Sequence, residues 1–90
     1  MKIEEFREQI DVIDDKLAAL YIERMTLVKE IGLEKARGDR PVADPGRERA
    51  VIGRVVKNAP PELRAHLERI FHALFETSKE YQVSVMSDKW

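Results

Sequence analysis

Five polar residues stand where the helical spacing of their neighbours calls for apolar ones. Arg24 falls between Leu20 and Leu27 in a three-four apolar series, and Lys35 lies one turn beyond Ile31 on nearly the same side. Eleven residues at about 100° each return to within roughly 20°, so these cations share a face about 16 Å apart along the axis. Their long side chains can lean together over one small anion. Glu48 precedes Val51 and Val55 at three- and seven-residue spacing, which turns its carboxylate inward, and Ser78 and Gln82 continue the Leu67, Leu74 stripe. A single inward arginine is ordinarily a structural ion pair or a register-setting residue, and a Ser or Gln near a helix end ordinarily bonds locally. Five such residues on three faces are harder to absorb, because an unpaired buried charge costs several kcal/mol and the inward cations outnumber the inward carboxylate. The missing negative charge implies an anionic ligand.

Three helices must position these groups. The apolar residues Ile3, Phe6, Ile10, Ile13, Leu17, Leu20, Leu27 and Ile31 keep helical spacing, and no proline interrupts before Pro41. Gly32 costs about 1 kcal/mol within the run, and Gly38-Asp39-Arg40-Pro41 supplies the stop. Asp44-Pro45, an N-cap followed by proline at the first helical position, opens a second helix that runs through Val51, Val55 and Val56 to Asn58. Pro60-Pro61 restarts the chain, and Leu63, Leu67, Ile70, Phe71 and Leu74 mark a third helix reaching about Met86. No repeat, low-complexity tract or strand-period segment is visible.

The first helix is too long for the chain that carries it. About 35 residues at 1.5 Å each make roughly 50 Å, whereas a compact chain of this size has a radius of gyration near 12 Å. The choices are a two-stranded coiled coil or a helix shared across an intertwined dimer. Ninety residues make one small domain, taken here as residues 1–90, only marginally able to support a core alone. The expected fold class is therefore all-α, with three helices, one very long, forming an intertwined homodimeric helical bundle.

Composition narrows the function classes. Charged residues make up 37% of the chain, well above an ordinary domain, yet 16 Lys and Arg nearly cancel 17 Asp and Glu. That balance leaves no bulk positive field for nucleic acid and no footprint for an anionic membrane. With no cysteine there is no disulfide framework, thiolate nucleophile or zinc knuckle. No apolar run is long enough for a signal peptide or a membrane span, so a cytoplasmic location is expected. His66 and His72 lie off the stripes and read as surface residues.

The joint Arg40-Pro41-Val42-Ala43-Asp44-Pro45-Gly46-Arg47-Glu48-Arg49, preceded by Lys35 and by Glu23-Arg24, closely resembles the all-helical class of chorismate mutases. Phe6-Arg7-Glu8-Gln9-Ile10-Asp11-Val12-Ile13-Asp14 is similar to that family's N-terminal signature, with Arg7 at its arginine. Phe71 through Ser78, with Gln82, match its third-helix pattern. The similarity covers nearly the whole chain; the Asn58 to Pro61 joint is slightly shorter than in some relatives, which affects loop detail more than chemistry.

The resemblance implies a Claisen rearrangement of chorismate to prephenate, the branch-point step toward phenylalanine and tyrosine, with no cofactor and no metal. It implies functional positions at Arg7, Arg24, Lys35, Asp44, Arg47, Glu48, Ser78 and Gln82, of which Lys35, Gln82, Glu48 and Arg24 are the catalytic set. In it Lys35 and Gln82 donate hydrogen bonds to the breaking ether oxygen. Arg7, Arg24 and Arg47, helped by Ser78, hold the two carboxylates, and Glu48 accepts the ring hydroxyl's hydrogen bond. Asp44 caps its helix and shapes the pocket wall. The residues agree with such chemistry, since a pericyclic reaction needs no nucleophile or general base, only a compact substrate conformer and stabilisation of charge on the ether oxygen.

Arg7 adds a geometric argument. On one straight helix it lies roughly 25 Å from Arg24 and 42 Å from Lys35, farther than a substrate of about ten carbon atoms spans. An Arg7 that touches the ligand must therefore come from a second chain, which makes each active site composite. Two other readings are weighed. An isochorismate–pyruvate lyase shares the fold and the cationic positions, but by resemblance lacks an acid matching Glu48. A non-catalytic helical regulatory dimer would lower its folding cost by replacing inward Arg24 or Lys35 with leucine.

Overall fold

The computed structural model describes residues 2–87, which form α1 (Lys2–Arg37), α2 (Pro45–Lys57) and α3 (Arg64–Ser87). The fold class is all-α, with three helices, one of them long. A single 3-10 turn at Pro61–Leu63 leads into α3, so the second proline of the Pro60-Pro61 joint opens a tighter turn before the helix proper. No helix among the described residues is long and apolar enough to cross a membrane.

The joint between α1 and α2 is built from backbone hydrogen bonds. Arg40 N–H donates to Lys35 O at 2.8 Å and Asp39 N–H to Ala36 O at 3.4 Å, the paired closure that ends a helix through one left-handed residue. Within the Gly38-Asp39-Arg40-Pro41 stop that residue is Asp39, with φ 53°, and the adjacent Gly38 has no positive φ. Aspartate tolerates this region better than most side chains because its short polar group bonds locally. Five residues after Asp39, Asp44 caps α2, its Oδ1 accepting from Arg47 N–H at 3.1 Å, with Pro45 at the first helical position.

Contacts climb α1 and α3 in the same order. Tyr21 Oη donates to Thr77 Oγ1 at 2.8 Å, Arg24 meets Ser78, and Gly32 abuts Gln82. The side of α1 that faces α3 is therefore Tyr21, Met25, Val28 and Gly32, while Leu20, Leu27 and Ile31 of the apolar stripe remain 49% to 62% exposed. On α3 the buried line is Phe75, Ser78, Gln82 and Val85, and Ile70 of the expected stripe is exposed.

Every residue from Lys2 to Leu20 is exposed, including Ile3, Phe6, Ile10, Ile13 and Leu17. Nineteen residues at 1.5 Å each leave about 28 Å of helix without cover from its own chain. The radius of gyration, 16.3 Å, accordingly exceeds the roughly 12 Å of a compact chain of this length. Buried apolar residues among those described are only Val28, Val51, Phe75 and Val85. Val28, Val51 and Phe75 line one cavity between the three helices, and that is where the polar groups converge.

Candidate active site

A cavity of about 460 Å³ opens between the C-terminal part of α1, the first turns of α2 and the middle of α3. Seven of the eight positions expected from sequence line it: Arg24, Lys35, Asp44, Arg47, Glu48, Ser78 and Gln82. Val28, Val51 and Phe75 form its apolar floor. Four cations, Arg24, Lys35, Arg47 and Lys79, face two carboxylates, Asp44 and Glu48, an excess of two positive charges. A low-dielectric floor beneath such an excess favours a doubly negative small molecule with an apolar body.

Each polar group is held by a local device. Ser78 is buried; its hydroxyl donates to Leu74 O at 2.6 Å and accepts from Arg24 Nη1 at 2.5 Å, so the serine pins one edge of the guanidinium and leaves its other donors free. Lys35 Nζ donates to Val42 O at 2.7 Å, tying the end of α1 to the joint and leaving two ammonium protons unspent in that bond. Gln82 is buried beside Gly32, and its Oε1 has no hydrogen-bond partner among the described residues. A buried amide oxygen left unpaired costs about 1–3 kcal/mol, which a bound molecule or water can relieve.

The eighth position, Arg7, is not brought to the cavity. It sits on the uncovered stretch of α1, exposed, in an ion pair with Glu4 at 3.1 Å. His66 and His72 are exposed and away from the cavity, His72 lying 3.7 Å from Glu68. Among the described residues no His, Asp and Glu side chains gather as a metal ion would require.

Lys79 is a lining residue that the sequence reading passed over. Its Nζ lies 3.0 Å from Glu76 Oε1 and 3.2 Å from Glu48 Oε2. The Glu76 and Glu48 carboxylates hold its pKa above the ordinary lysine value, so it is charged at any physiological pH. The signal that would have found it is the four-three spacing Phe75, Lys79, Gln82, which puts it on the buried line of α3.

The family model for chorismate mutase type II matches residues 6–83, a stretch that contains all eight expected positions. The bifunctional chorismate mutase/prephenate dehydratase of Escherichia coli K12 is 39% identical over 74 residues, covering 80% of this chain and 19% of that protein. The bifunctional chorismate mutase/prephenate dehydratase of Aquifex aeolicus is 29% identical over 97 residues, 98% of this chain and 27% of that protein. The chorismate mutase of Methanocaldococcus jannaschii is 30% identical over 92 residues, 97% of this chain and 90% of that protein. The chain thus spans about a fifth of the length of the E. coli relative, against 90% of the archaeal one. No solved structure matches the chain.

Proposed function

The chain belongs to the chorismate mutase type II family, and on that footing we propose that residues 1–90 act as one chorismate mutase domain, a cytoplasmic homodimer rearranging chorismate to prephenate. One carbon–oxygen bond of the enol ether breaks as one carbon–carbon bond forms, so no group leaves and no proton need move. Catalysis then consists of holding the compact conformer and stabilising negative charge on the ether oxygen. The observation that carries this reading is the cavity's excess of two positive charges over an apolar floor, matched to a substrate with two carboxylates.

In this reading Arg24 and Arg47 bind the carboxylates, with Ser78 orienting Arg24. Lys35 and Gln82 bond the ether oxygen, and their contribution grows as charge develops there. Glu48 accepts from the ring hydroxyl, and Asp44 fixes the start of α2, which carries Arg47 and Glu48. Arg7 completes the site from a second copy. Support for the dimer is the uncovered stretch of α1, whose exposed Phe6, Ile10, Ile13 and Leu17 each gain about 1.5–3 kcal/mol when fully buried.

A direct assay tests the proposal. Disappearance of chorismate with stoichiometric prephenate is the expected result. Pyruvate released from isochorismate would assign the lyase reaction instead, and turnover of neither would leave a non-catalytic helical dimer.

A further inference from the structure

Lys79 makes the one ion pair among the described residues that joins two helices; the others, Arg7–Glu4, Arg37–Glu34, His72–Glu68 and Lys79–Glu76, each lie within a single helix. The Lys79 and Glu48 side chains are only 29% and 25% exposed, and both line the cavity. We propose that Lys79 is a positioning residue for the reaction: it holds the Glu48 carboxylate by one oxygen, Oε2, so that the other is presented to the substrate's ring hydroxyl. This rests on the chorismate reading above.

The chemistry of the cavity calls for such a residue. A carboxylate aimed inward at a site for a dianion repels its ligand unless a cation offsets it, and Arg24, Lys35 and Arg47 are needed for the ligand itself. Lys79 offsets it from the side. Its ammonium is fixed at two points, by Glu76 one turn earlier on α3 and by Glu48 across the helix junction, which commits two of its three donors. The pair also locks the first turn of α2 against α3. A glutamate on that turn is otherwise free to swing among rotamers that face solvent, and ordering it in advance removes that cost from substrate binding.

The experiment is a double-mutant cycle in the homogeneous enzyme, combining Lys79→Met with Glu48→Gln and using Lys79→Arg as the conservative rescue. Methionine keeps the length of the stem and removes the charge. Lys79→Met should lower kcat/KM for chorismate about tenfold in the Glu48 enzyme and less than twofold in the Glu48→Gln background, and Lys79→Arg should recover most of the loss. Equal losses in both backgrounds would mean that Lys79 acts on the substrate directly, and a loss below twofold in the Glu48 enzyme would mean that it does nothing; either overturns the proposal. Failure of the underlying reading has its own signature, absence of chorismate turnover by the unmodified chain. The pair is then read from thermal unfolding alone: Lys79→Met lowers Tm in the Glu48 protein and leaves it unchanged in the Glu48→Gln background, or the proposal fails with the reading.

Discussion

Gly32 of α1 and Gln82 of α3 approach so closely that a methyl group at residue 32 would lie 3.2 Å from Gln82 Cγ and 3.4 Å from its Cα and Cβ. The glycine is what lets α3 come near enough to seat Gln82 in the cavity wall. Gly32→Ala should therefore displace Gln82 by a few tenths of an ångström. Helix propensity gains about 1 kcal/mol from alanine, against an overpacking cost of about 1–3 kcal/mol, so stability should be unchanged or fall by up to about 2 kcal/mol. Because Gln82 is proposed to act on charge present only in the transition state, kcat should fall about tenfold with KM nearly constant. Steady-state kinetics with a thermal melt check both halves; a raised KM at constant kcat would contradict the role given to Gln82.

Lys35 is tied to the joint through Val42 O, and the proposed mechanism gives it a second duty at the ether oxygen. Lys35→Ala should cost at least about 100-fold in kcat, the scale of losing a preorganised electrostatic contact. The dimer should persist, since the lysine lies outside the uncovered stretch of α1. Activity near that of the unmodified chain would sink the proposed mechanism.

Asp39 carries the positive φ of the joint, while Gly38 beside it does not need its freedom. Asp39→Gly should stabilise the fold by about 0.5–1 kcal/mol by removing the left-handed penalty. That is a rise of about 2–8 °C in Tm for a domain this small. Asp39→Val should lower Tm, because a β-branched side chain resists this conformation. Neither should alter KM by more than twofold, as Asp39 does not line the cavity.

The elements and most of the cavity were legible because their signals are local and coded in residue types. Asp44-Pro45 can hardly be anything but a helix start, and Arg24, Lys35, Glu48, Ser78 and Gln82 break apolar stripes. Lys79 was not legible in the same way. In a chain with 37% charged residues, a lysine three before an inward glutamine reads as one more solvated charge until Phe75 is seen to be buried one turn earlier. The α1 stripe misled for a different reason. A helix can carry apolar residues on more than one side, and spacing cannot say that Val28 and Gly32 meet α3 while Leu20, Leu27 and Ile31 stay exposed. The Gly38-Asp39-Arg40-Pro41 stop was legible as a stretch, but residue types alone do not say that Asp39 is the one that takes the left-handed conformation.

The uncovered stripe predicts the oligomeric state. Sedimentation should give twice the 10.4 kDa chain mass, and Tm should rise with protein concentration, since folding and association are then coupled. Ile13→Glu, at the middle of the uncovered stretch, should shift the protein to monomer or unfold it. A stable, concentration-independent monomer with Ile13 intact would remove the basis for a shared site.

Arg7 supplies the sharpest test of that sharing. It is exposed and, among the described residues, paired only with Glu4, and 17 residues of helix, about 25 Å, separate it from Arg24. If two copies exchange this end of α1, each site holds Arg24 from one chain and Arg7 from the other. Homodimers of Arg7→Ala and of Arg24→Ala should then each lose activity at both sites. Co-refolding the two variants makes heterodimers in which one site lacks both arginines and the other has both. Purified through two different affinity tags, the heterodimer should regain about half the activity of the unmodified dimer. Activity no higher than that of the weaker homodimer would show that Arg7 does not reach the partner's cavity, and the dimer would then need a different pairing of α1.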